Sequence, residues 1–339
     1  MPAPFQVVIL AGIAAALHIG KLPPAIPALQ EALGLTLVQA GFLLSLVQLA
    51  GMAAGVAFGS IADGLGLRRS MIVGLCVLAA ASAAGGLATG AAALMLLRAV
   101  EGFGFLLVVL PAPPLLRKLA PPERANVVLG LWGSYMPVAT ATALLLGPLV
   151  IGAFGWRPWW WALGAVSLAM ALAVARGVPP RQASVVVADP FVRRLARTLA
   201  APGPWWVATT FAPYSAQWLA VIGFLPSIYL QAGVSGAATG VLTAGASAAN
   251  IVGNVGAGRL LQRGVPAPRL LAIGFVTMAA TGIAAFAGDP GLPPALRYAA
   301  VLVFSAVGGL IPTSLFSLAV RAAPGDAMLG TTIGWVQQW

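Results

Sequence analysis

Long stretches without any Asp, Glu, Lys or Arg constrain this chain more than any other feature of its sequence. Among 339 residues, 18 are Lys or Arg and 7 are Asp or Glu. Charge-free stretches run, for example, from Ala32 to Ala62, from Ala125 to Trp156, from Thr198 to Gly258 and from Tyr298 to Val320. A membrane-spanning helix needs about 20 mostly apolar residues, and in lipid the backbone must satisfy its own hydrogen bonds. The pattern therefore predicts an all-α polytopic membrane protein.

The composition excludes several other classes of protein. A hydrophobic fraction of 60% is too large to hide behind the water-facing surface of a soluble protein. The net charge of +11 does not indicate a nucleic-acid partner, because most basic residues fall where cytoplasmic loops are expected. One cysteine, Cys76, and one histidine, His18, provide neither an internal disulfide nor a metal site. We expect no metal, no cofactor and no enzymatic activity.

The apolar pattern predicts ten complete spans and an eleventh that begins near residue 328. The ten are placed at 5–29, 38–62, 70–88, 92–116, 126–154, 158–176, 205–230, 237–258, 269–287 and 296–320. An Arg- and Pro-rich interruption divides the chain into an N-terminal half (1–177), a cytoplasmic linker (178–204) and a C-terminal half (205–339). Within the linker, residues 190–199 fit a short amphipathic helix at the membrane surface or a solvated basic loop equally well.

The distribution of Lys and Arg predicts the orientation of the chain. With the N-terminus in the cytoplasm, nearly all basic residues outside the spans lie on the cytoplasmic side, and Arg157 and Arg297 are the exceptions. Cytoplasmic loops carry such an excess of positive charge. We expect a multi-pass protein of the bacterial plasma (inner) membrane.

Four landmarks recur at a spacing of about 200 residues, which is typical of the internal repeats of transporters. The pairs are Gly20-Lys-Leu-Pro23 with Gly223-Phe-Leu-Pro226, Gly59-x-x-x-Asp63 with Gly258-x-x-x-Gln262, Leu110-Pro111 with Ile311-Pro312, and Ala120-Pro121 with Ala323-Pro324. By the same correspondence Gly334-Trp335 matches the Gly130-Leu-Trp132 segment. This predicts two six-helix halves, with the rest of the eleventh span and a twelfth missing beyond Trp339.

The connection after the second span carries small, acidic and basic residues at short spacing. Its members are Gly59, Asp63, Gly66, Arg68 and Arg69. The segment resembles the signature loop of the major facilitator superfamily, Gly-x-x-x-Asp-Arg-x-Gly-Arg-Arg, with Gly64 where a basic residue is usual. The resemblance implies a cytoplasmic latch that stabilises an outward-open state, joined by Arg263 from the second-half copy, which has Gln262 in place of the acid. The alternative is an ordinary tight turn.

The fourth span reads Arg98-x-x-Glu101-Gly102-Phe-Gly104, and the first span carries His18 and Lys21. Arg98 and Glu101 share one helix face, and each would cost roughly 2.5–3.5 kcal/mol to place mid-membrane. The motif resembles the superfamily sequence Arg-x-x-Gln-Gly-x-Gly, with Glu for Gln. A pathway or coupling role and a self-satisfied structural pair both fit.

The depths of two of these cations along their helices agree. Lys21 lies ~24 Å from the cytoplasmic start of its helix, and Arg98 ~27 Å from the cytoplasmic end of its own. In the superfamily both helices line the central cavity. The resemblance therefore implies that Lys21 and Arg98 bind an anion and that Glu101 and His18 move a proton. The alternatives are snorkelling of Lys21 to the interface and a packing hydrogen bond of His18.

A finer resemblance concerns Leu110-Pro111, the segment Gly130 to Pro137, Gly155-Trp156-Arg157 and the segment Tyr214 to Trp218. These look like the cyanate/nitroimidazole porter family. The resemblance implies a small anionic substrate and makes Tyr135, Gln217 and Trp218 candidates for the cavity wall. Packing or interface anchoring explains the three side chains equally well.

Together these features predict a monomeric secondary transporter that works by alternating access, with proton-coupled uptake of a small anion as the first hypothesis. Ala143 stands where antiporters of the superfamily usually have Gly, which favours uptake by symport. Two alternatives stay open: a proton-driven exporter of small organic compounds, and a non-transporting membrane scaffold. Besides substrate and protons, we expect only the lipid bilayer as a partner.

Overall fold

The computed structural model describes residues 3–180, 190–287 and 292–339, and these ranges are almost entirely helical. The helices are α1 (Pro4–Gly20), α2 (Ile26–Leu33), α3 (Leu37–Leu65), α4 (Leu67–Gly85), α5 (Ala91–Val109), α6 (Ala112–Leu119), α7 (Ala125–Gly133), α8 (Tyr135–Phe154), α9 (Trp156–Gly177), α10 (Phe191–Ala200), α11 (Pro202–Gln231), α12 (Gly236–Gln262), α13 (Ala267–Gly282), α14 (Pro294–Gly308), α15 (Leu310–Ala322) and α16 (Leu329–Val336). Short 3₁₀ turns precede α2, α7 and α16, and a π-helical turn follows α13.

Helices lie at each of the predicted spans. Eight helical stretches within the described ranges are long and apolar enough to cross a membrane: Pro4–Leu33, Val38–Leu65, Leu67–Gly85, Ala91–Leu119, Pro122–Phe154, Trp156–Gly177, Ala267–Phe286 and Pro294–Ala322. The seventh and eighth predicted spans are α11 and α12, of 30 and 27 residues. At 1.5 Å per residue both exceed the ~30 Å hydrocarbon core of a bilayer. The all-α prediction is confirmed.

Several predicted spans are interrupted near proline. The first predicted span consists of α1 and α2, which are separated by a 3₁₀ turn that begins at Pro23. Proline has no N–H to donate and clashes with the preceding turn, so the helix cannot run through. The fourth span breaks at Pro111, between α5 and α6. Its repeat partner, the tenth, breaks at Gly309, three residues before Pro312. The corresponding positions of these breaks match the predicted duplication.

The helices pack into two groups that meet along two lines. In the first half α4 packs against α5 and α9, α3 against α5, and α1 against α8 and α9. In the second half α14 packs against α12 and α13, and α15 against α11, α12 and α13. The halves meet where α3 contacts α16 and where α12 contacts α7 and α8.

Glycines allow the two halves to touch backbone to backbone along both lines. A Cβ at Gly59 would lie 2.2 Å from the carbonyl oxygen of Gly330, and a Cβ at Gly258 would lie 2.6 Å from that of Asn126. Neither position can hold a larger side chain without separating the helices, which is how small residues act in membrane interfaces. Because Gly59 and Gly258 correspond in the repeat, the same contact is made twice.

The predicted linker contains a helix rather than a solvated loop. Helix α10 packs against α3, α11 and α16, and it buries Arg194 and Thr198 while Val192 remains exposed. The linker residues 181–189 lie outside the described residues. One face of the amphipathic helix α10 therefore packs on the bundle, and the other face is exposed.

We expect Gly258→Leu to destabilise the protein and Gly256→Leu to leave it nearly unchanged. Leucine at 258 would force α12 from α7, and overpacking of this kind costs about 1–3 kcal/mol. A Cβ at Gly256, two residues away on the same helix, would meet nothing within 4 Å. Thermal unfolding of the two purified variants checks this, and equal melting temperatures would contradict the described contact.

Candidate functional site

A cavity of about 330 Å³ lies between the two halves. Helices α3, α5 and α8 of the first half and α11, α12 and α15 of the second contribute to its wall. The lining includes Gln48, Phe105, Tyr135, Phe211, Tyr214, Trp218, Asn250 and Phe316. The lining residues that the structure describes have no charged side chain. The wall is thus aromatic and aliphatic, with amide and hydroxyl groups at a few places.

Aromatic rings give the cavity its shape. Tyr135 from α8 stacks on Trp132, with ring centroids 4.4 Å apart. On the opposite wall the ring centroid of Phe211 lies 5.9 Å from that of Tyr214 and 6.4 Å from that of Phe316. Rings held in this way present flat apolar surfaces with few rotatable bonds, and such surfaces favour a planar ligand.

One hydrogen-bond donor of the wall, the indole Nε1 of Trp218, has no partner among the described residues. A buried donor left unpaired costs about 1–3 kcal/mol. A ligand that brings an acceptor oxygen to this group would recover that free energy on binding.

The structure separates the three residues proposed for the cavity wall. Tyr135 and Trp218 line the cavity, whereas Gln217 is exposed and is not among the lining residues. The sequence analysis omitted Tyr214, Phe211 and Asn250, all of which do line it. A signal existed, because Phe211, Tyr214 and Trp218 stand at helical i, i+3 and i+7 spacing and so share one face of α11.

The structure brings the four buried ionisable residues of the first and fourth spans together. Lys21 Nζ lies 2.5 Å from Glu101 Oε1, and Arg98 Nη1 donates to Glu101 Oε2. Their side chains are 0%, 1% and 1% exposed for Lys21, Arg98 and Glu101. Lys21 Nζ also lies 3.2 Å from His18 Nδ1. Lys21 therefore does not snorkel, and one carboxylate is shared by two cations.

Hydroxyl groups extend this charged cluster into neighbouring helices. Lys21 Nζ donates to Ser82 Oγ at 2.9 Å, and Ser82 Oγ donates to the Trp160 carbonyl at 2.8 Å. His18 Nε2 and Ser167 Oγ are 2.7 Å apart. Lys21 Nζ also lies 4.6 Å from the ring centroid of Trp160, in a cation–π geometry. The network ties α1 to α4, α5 and α9.

The same network completes the broken end of α1. The last carbonyl groups of a helix have no partner within it, and here the following prolines offer no N–H. Arg98 Nη1 donates to the His18 carbonyl at 2.7 Å, and Trp159 Nε1 donates to the Lys21 carbonyl at 3.2 Å. Side chains of α5 and α9 thus satisfy acceptors that the helix leaves open.

The charged cluster lies inside the first half and not on the cavity wall. None of His18, Lys21, Arg98 and Glu101 is among the lining residues, although Ile19 is. In this conformation the two cations face Glu101 instead of the space between the halves. The anion site predicted for Lys21 and Arg98 is not part of this cavity wall and stays a prediction.

Asp63 joins the two halves at one end of the bundle. Its Oδ1 accepts from the Gly330 N–H at 2.9 Å, and its Oδ2 accepts from the N–H and the hydroxyl of Thr331, both at 2.8 Å. These groups stand at the start of α16, where free N–H groups and the helix dipole favour a carboxylate. On the other line, Gln262 Oε1 accepts from the Asn126 N–H at 3.2 Å, near the start of α7.

The remaining residues of the predicted latch lie apart from this contact. Gly66 has φ +86° in the turn between α3 and α4, a conformation that favours glycine. Arg68 Nη2 donates to the Ala175 carbonyl at 2.5 Å, within the first half. Arg69 and Arg263 are exposed. Of the predicted set, Asp63 and Gly59 make the contacts between the halves that the structure describes.

Solved structures with the same fold are known. The chain superposes on an outward-facing structure of the transporter FucP with a TM-score of 0.78 at 18% identity, covering 98% of this chain and 88% of that one. It superposes on the proton:xylose symporter XylE with a TM-score of 0.81 at 13% identity, covering 99% and 85%.

Two curated relatives match shorter segments. The Tetracenomycin C resistance and export protein of Streptomyces glaucescens is 30% identical over 131 residues, which are 39% of this chain and 24% of that protein. An uncharacterized MFS-type transporter of Mycobacterium tuberculosis is 31% identical over 99 residues, which are 29% of this chain and 17% of that protein. The matched segments thus span a quarter or less of either relative.

The family assignment follows from a match along nearly the whole chain. The family description of the Major Facilitator Superfamily matches residues 8–339. It agrees with the all-helical fold and with the contact that Asp63 makes between the halves. The chain belongs to the Major Facilitator Superfamily of membrane transporters.

Proposed function

We propose that this protein is a secondary transporter that moves a small, flat, uncharged organic molecule across the membrane by alternating access, in the direction of export. The observation that supports this proposal best is the uncharged aromatic cavity between the halves. Its volume of about 330 Å³ is at the small end of the range for ligand pockets. The two halves would rock about this cavity.

The chemistry of the wall favours an uncharged substrate over an anion. Moving an ion out of water costs several kcal/mol unless an opposite charge or strong hydrogen bonds compensate it. Lys21 and Arg98 are both engaged with Glu101, away from the cavity. The indole N–H of Trp218 instead offers a neutral donor, which suits a carbonyl or ether oxygen on a planar molecule.

The position of the contacts supports an assignment of the conformation. Asp63 and Gln262 hold the halves together at one end, whereas the cavity-lining segment of α3, residues 45–52, lies near the middle of that helix, away from this contact. With the N-terminus in the cytoplasm, the closed end is cytoplasmic and the cavity faces outward. The monomeric state and the bacterial inner membrane stay predictions of the sequence.

Export is supported by the partial similarity to the Tetracenomycin C resistance and export protein. The competing hypothesis, proton-coupled uptake of a small anion as in the cyanate/nitroimidazole porter family, would require Lys21 or Arg98 to exchange Glu101 for the anion. Proton coupling through Glu101 and His18 is compatible with either direction, because the network would then act at a distance from the substrate.

Ligand-induced stabilisation of the purified protein tests the substrate class. A ligand that binds only the folded state raises the melting temperature by mass action. We expect flavone, an uncharged planar molecule with carbonyl and ether oxygens, to raise it, and benzoate and cyanate to leave it unchanged. Stabilisation by the anions and not by flavone would refute the proposal in favour of an anion site. Efflux of the stabilising ligand from vesicles with an imposed proton gradient then tests the direction.

Within α11, we expect Trp218→Ala to weaken flavone binding and Gln217→Ala to leave it unchanged. Trp218 lines the cavity and has an unpaired indole N–H, while the adjacent Gln217 is exposed outside it. Loss of the ring and the donor should lower the affinity about tenfold or more. The dissociation constants of both variants provide the check, and an equal effect at the two positions would place the ligand elsewhere.

In the charged cluster, we expect Glu101→Gln to destabilise the protein far more than Lys21→Gln. Without Glu101, Lys21 and Arg98 remain buried and uncompensated, which costs about 3–5 kcal/mol. Without Lys21, Arg98 and Glu101 still neutralise each other. Melting temperatures rank the two variants, and folded Lys21→Gln should keep its affinity for flavone. A stable Lys21→Gln protein that loses flavone binding would place Lys21 in the substrate site.

A further inference from the structure

The signature loop of this chain lacks a basic residue at Gly64, and an arginine from the linker occupies the adjacent space. Arg194 of α10 donates from Nη2 to the Ser60 carbonyl at 2.6 Å and from Nε to the Ser60 hydroxyl at 3.1 Å. Its Nη2 would lie 3.4 Å from a Cβ at Gly64. The side chain is 6% exposed, so this guanidinium is docked on α3 rather than solvated.

Arg194 also lies beside the carboxylate that joins the halves. Asp63 stands one helical turn after Ser60 on α3, and Arg194 interacts with it electrostatically. Helix α10 contacts α16 and the 3₁₀ turn before it, which are the elements that Asp63 binds. The arginine is therefore placed where α3, α10 and the start of α16 meet.

We propose that Arg194 supplies from the linker the guanidinium that the superfamily motif places directly after its acidic residue. It is a positioning residue: it holds the last turns of α3 so that Asp63 meets the N–H groups of Gly330 and Thr331. The contact of Asp63 with the start of α16 thereby depends on the linker helix as well as on the two halves. The proposal rests on alternating access but not on the identity of the substrate.

The absence of a side chain at position 64 fits this assignment. A long basic side chain at Gly64 would compete with Arg194 for the same space and add a second positive charge beside it. The two positions are therefore interchangeable in principle: an arginine at 64 should replace one at 194. A guanidinium is suited to this task because it donates several hydrogen bonds in a fixed plane.

Labelling of a cysteine in the cavity tests the proposal without substrate. Cys76→Ser removes the only native cysteine, and Ser45→Cys places a reporter on the cavity wall. In this background Arg194→Ala should slow labelling by a membrane-impermeant maleimide about tenfold, because a weakened contact at Asp63 lets the cavity close at its open end. Gly64→Arg combined with Arg194→Ala should restore the original rate. Arg117→Ala, which removes an exposed positive charge at the end of α6, should leave it unchanged.

Two outcomes would overturn the proposal. An unchanged labelling rate in Arg194→Ala would show that the arginine does not control closure. Slow labelling in the double variant would show that Arg194 acts as a general structural contact and not as the missing motif residue. If Arg194→Ala does not fold, Arg194→Gln replaces it in both arms. Because no ligand is present, these failures are distinguishable from a failure of the flavone measurements.

Discussion

The carboxylate of Asp63 on the first N–H groups of α16 is the interaction on which the arrangement of the halves depends. It acts together with Gly59, whose missing side chain lets α3 and α16 touch. Gln262 and Gly258 repeat the arrangement between α12 and α7 with a neutral amide. At one end the halves touch closely. Away from that end, large aromatic side chains separate them. The cavity is the space that results.

Charge is distributed differently in two of the places where polar groups are buried. In the first half, Glu101 is shared by Lys21 and Arg98, which leaves one net positive charge in the cluster, and Arg98 also satisfies the His18 carbonyl at the broken end of α1. Between the halves, the described cavity wall carries neutral donors and aromatic rings. A buried cation that already has a carboxylate partner is a poor ligand for a passing ion, because exchange would break a buried ion pair. In this structure the cluster is therefore separate from the cavity wall.

The sequence predicted those features that depend on distance along a helix axis. Charge-free stretches predicted the spans, and the equal depths of Lys21 and Arg98 predicted their proximity, because rise per residue is constant. Depth carries no information about rotation around the axis, and rotation decides whether a side chain lines the cavity. On α11, Gln217 points roughly 90° away from the centre of the face formed by Phe211, Tyr214 and Trp218. Helical periodicity could therefore have excluded Gln217 from the cavity wall. Which side of α5 faces α1 could not be predicted in this way, because it depends on how the two helices pack.

Gly64, which stands where the signature loop usually has a basic residue, shows a further limit of sequence motifs. A motif specifies residues at fixed spacing along the chain, but the physical requirement is a guanidinium near the end of α3. The side chain that meets this requirement is 134 residues away from Ser60. A departure such as Gly64 therefore does not by itself mean a weakened contact, since a residue without a side chain can instead admit a group from another segment. Where a side chain of a docked helix fills the space beside such a small residue, the small residue and the docked helix act together.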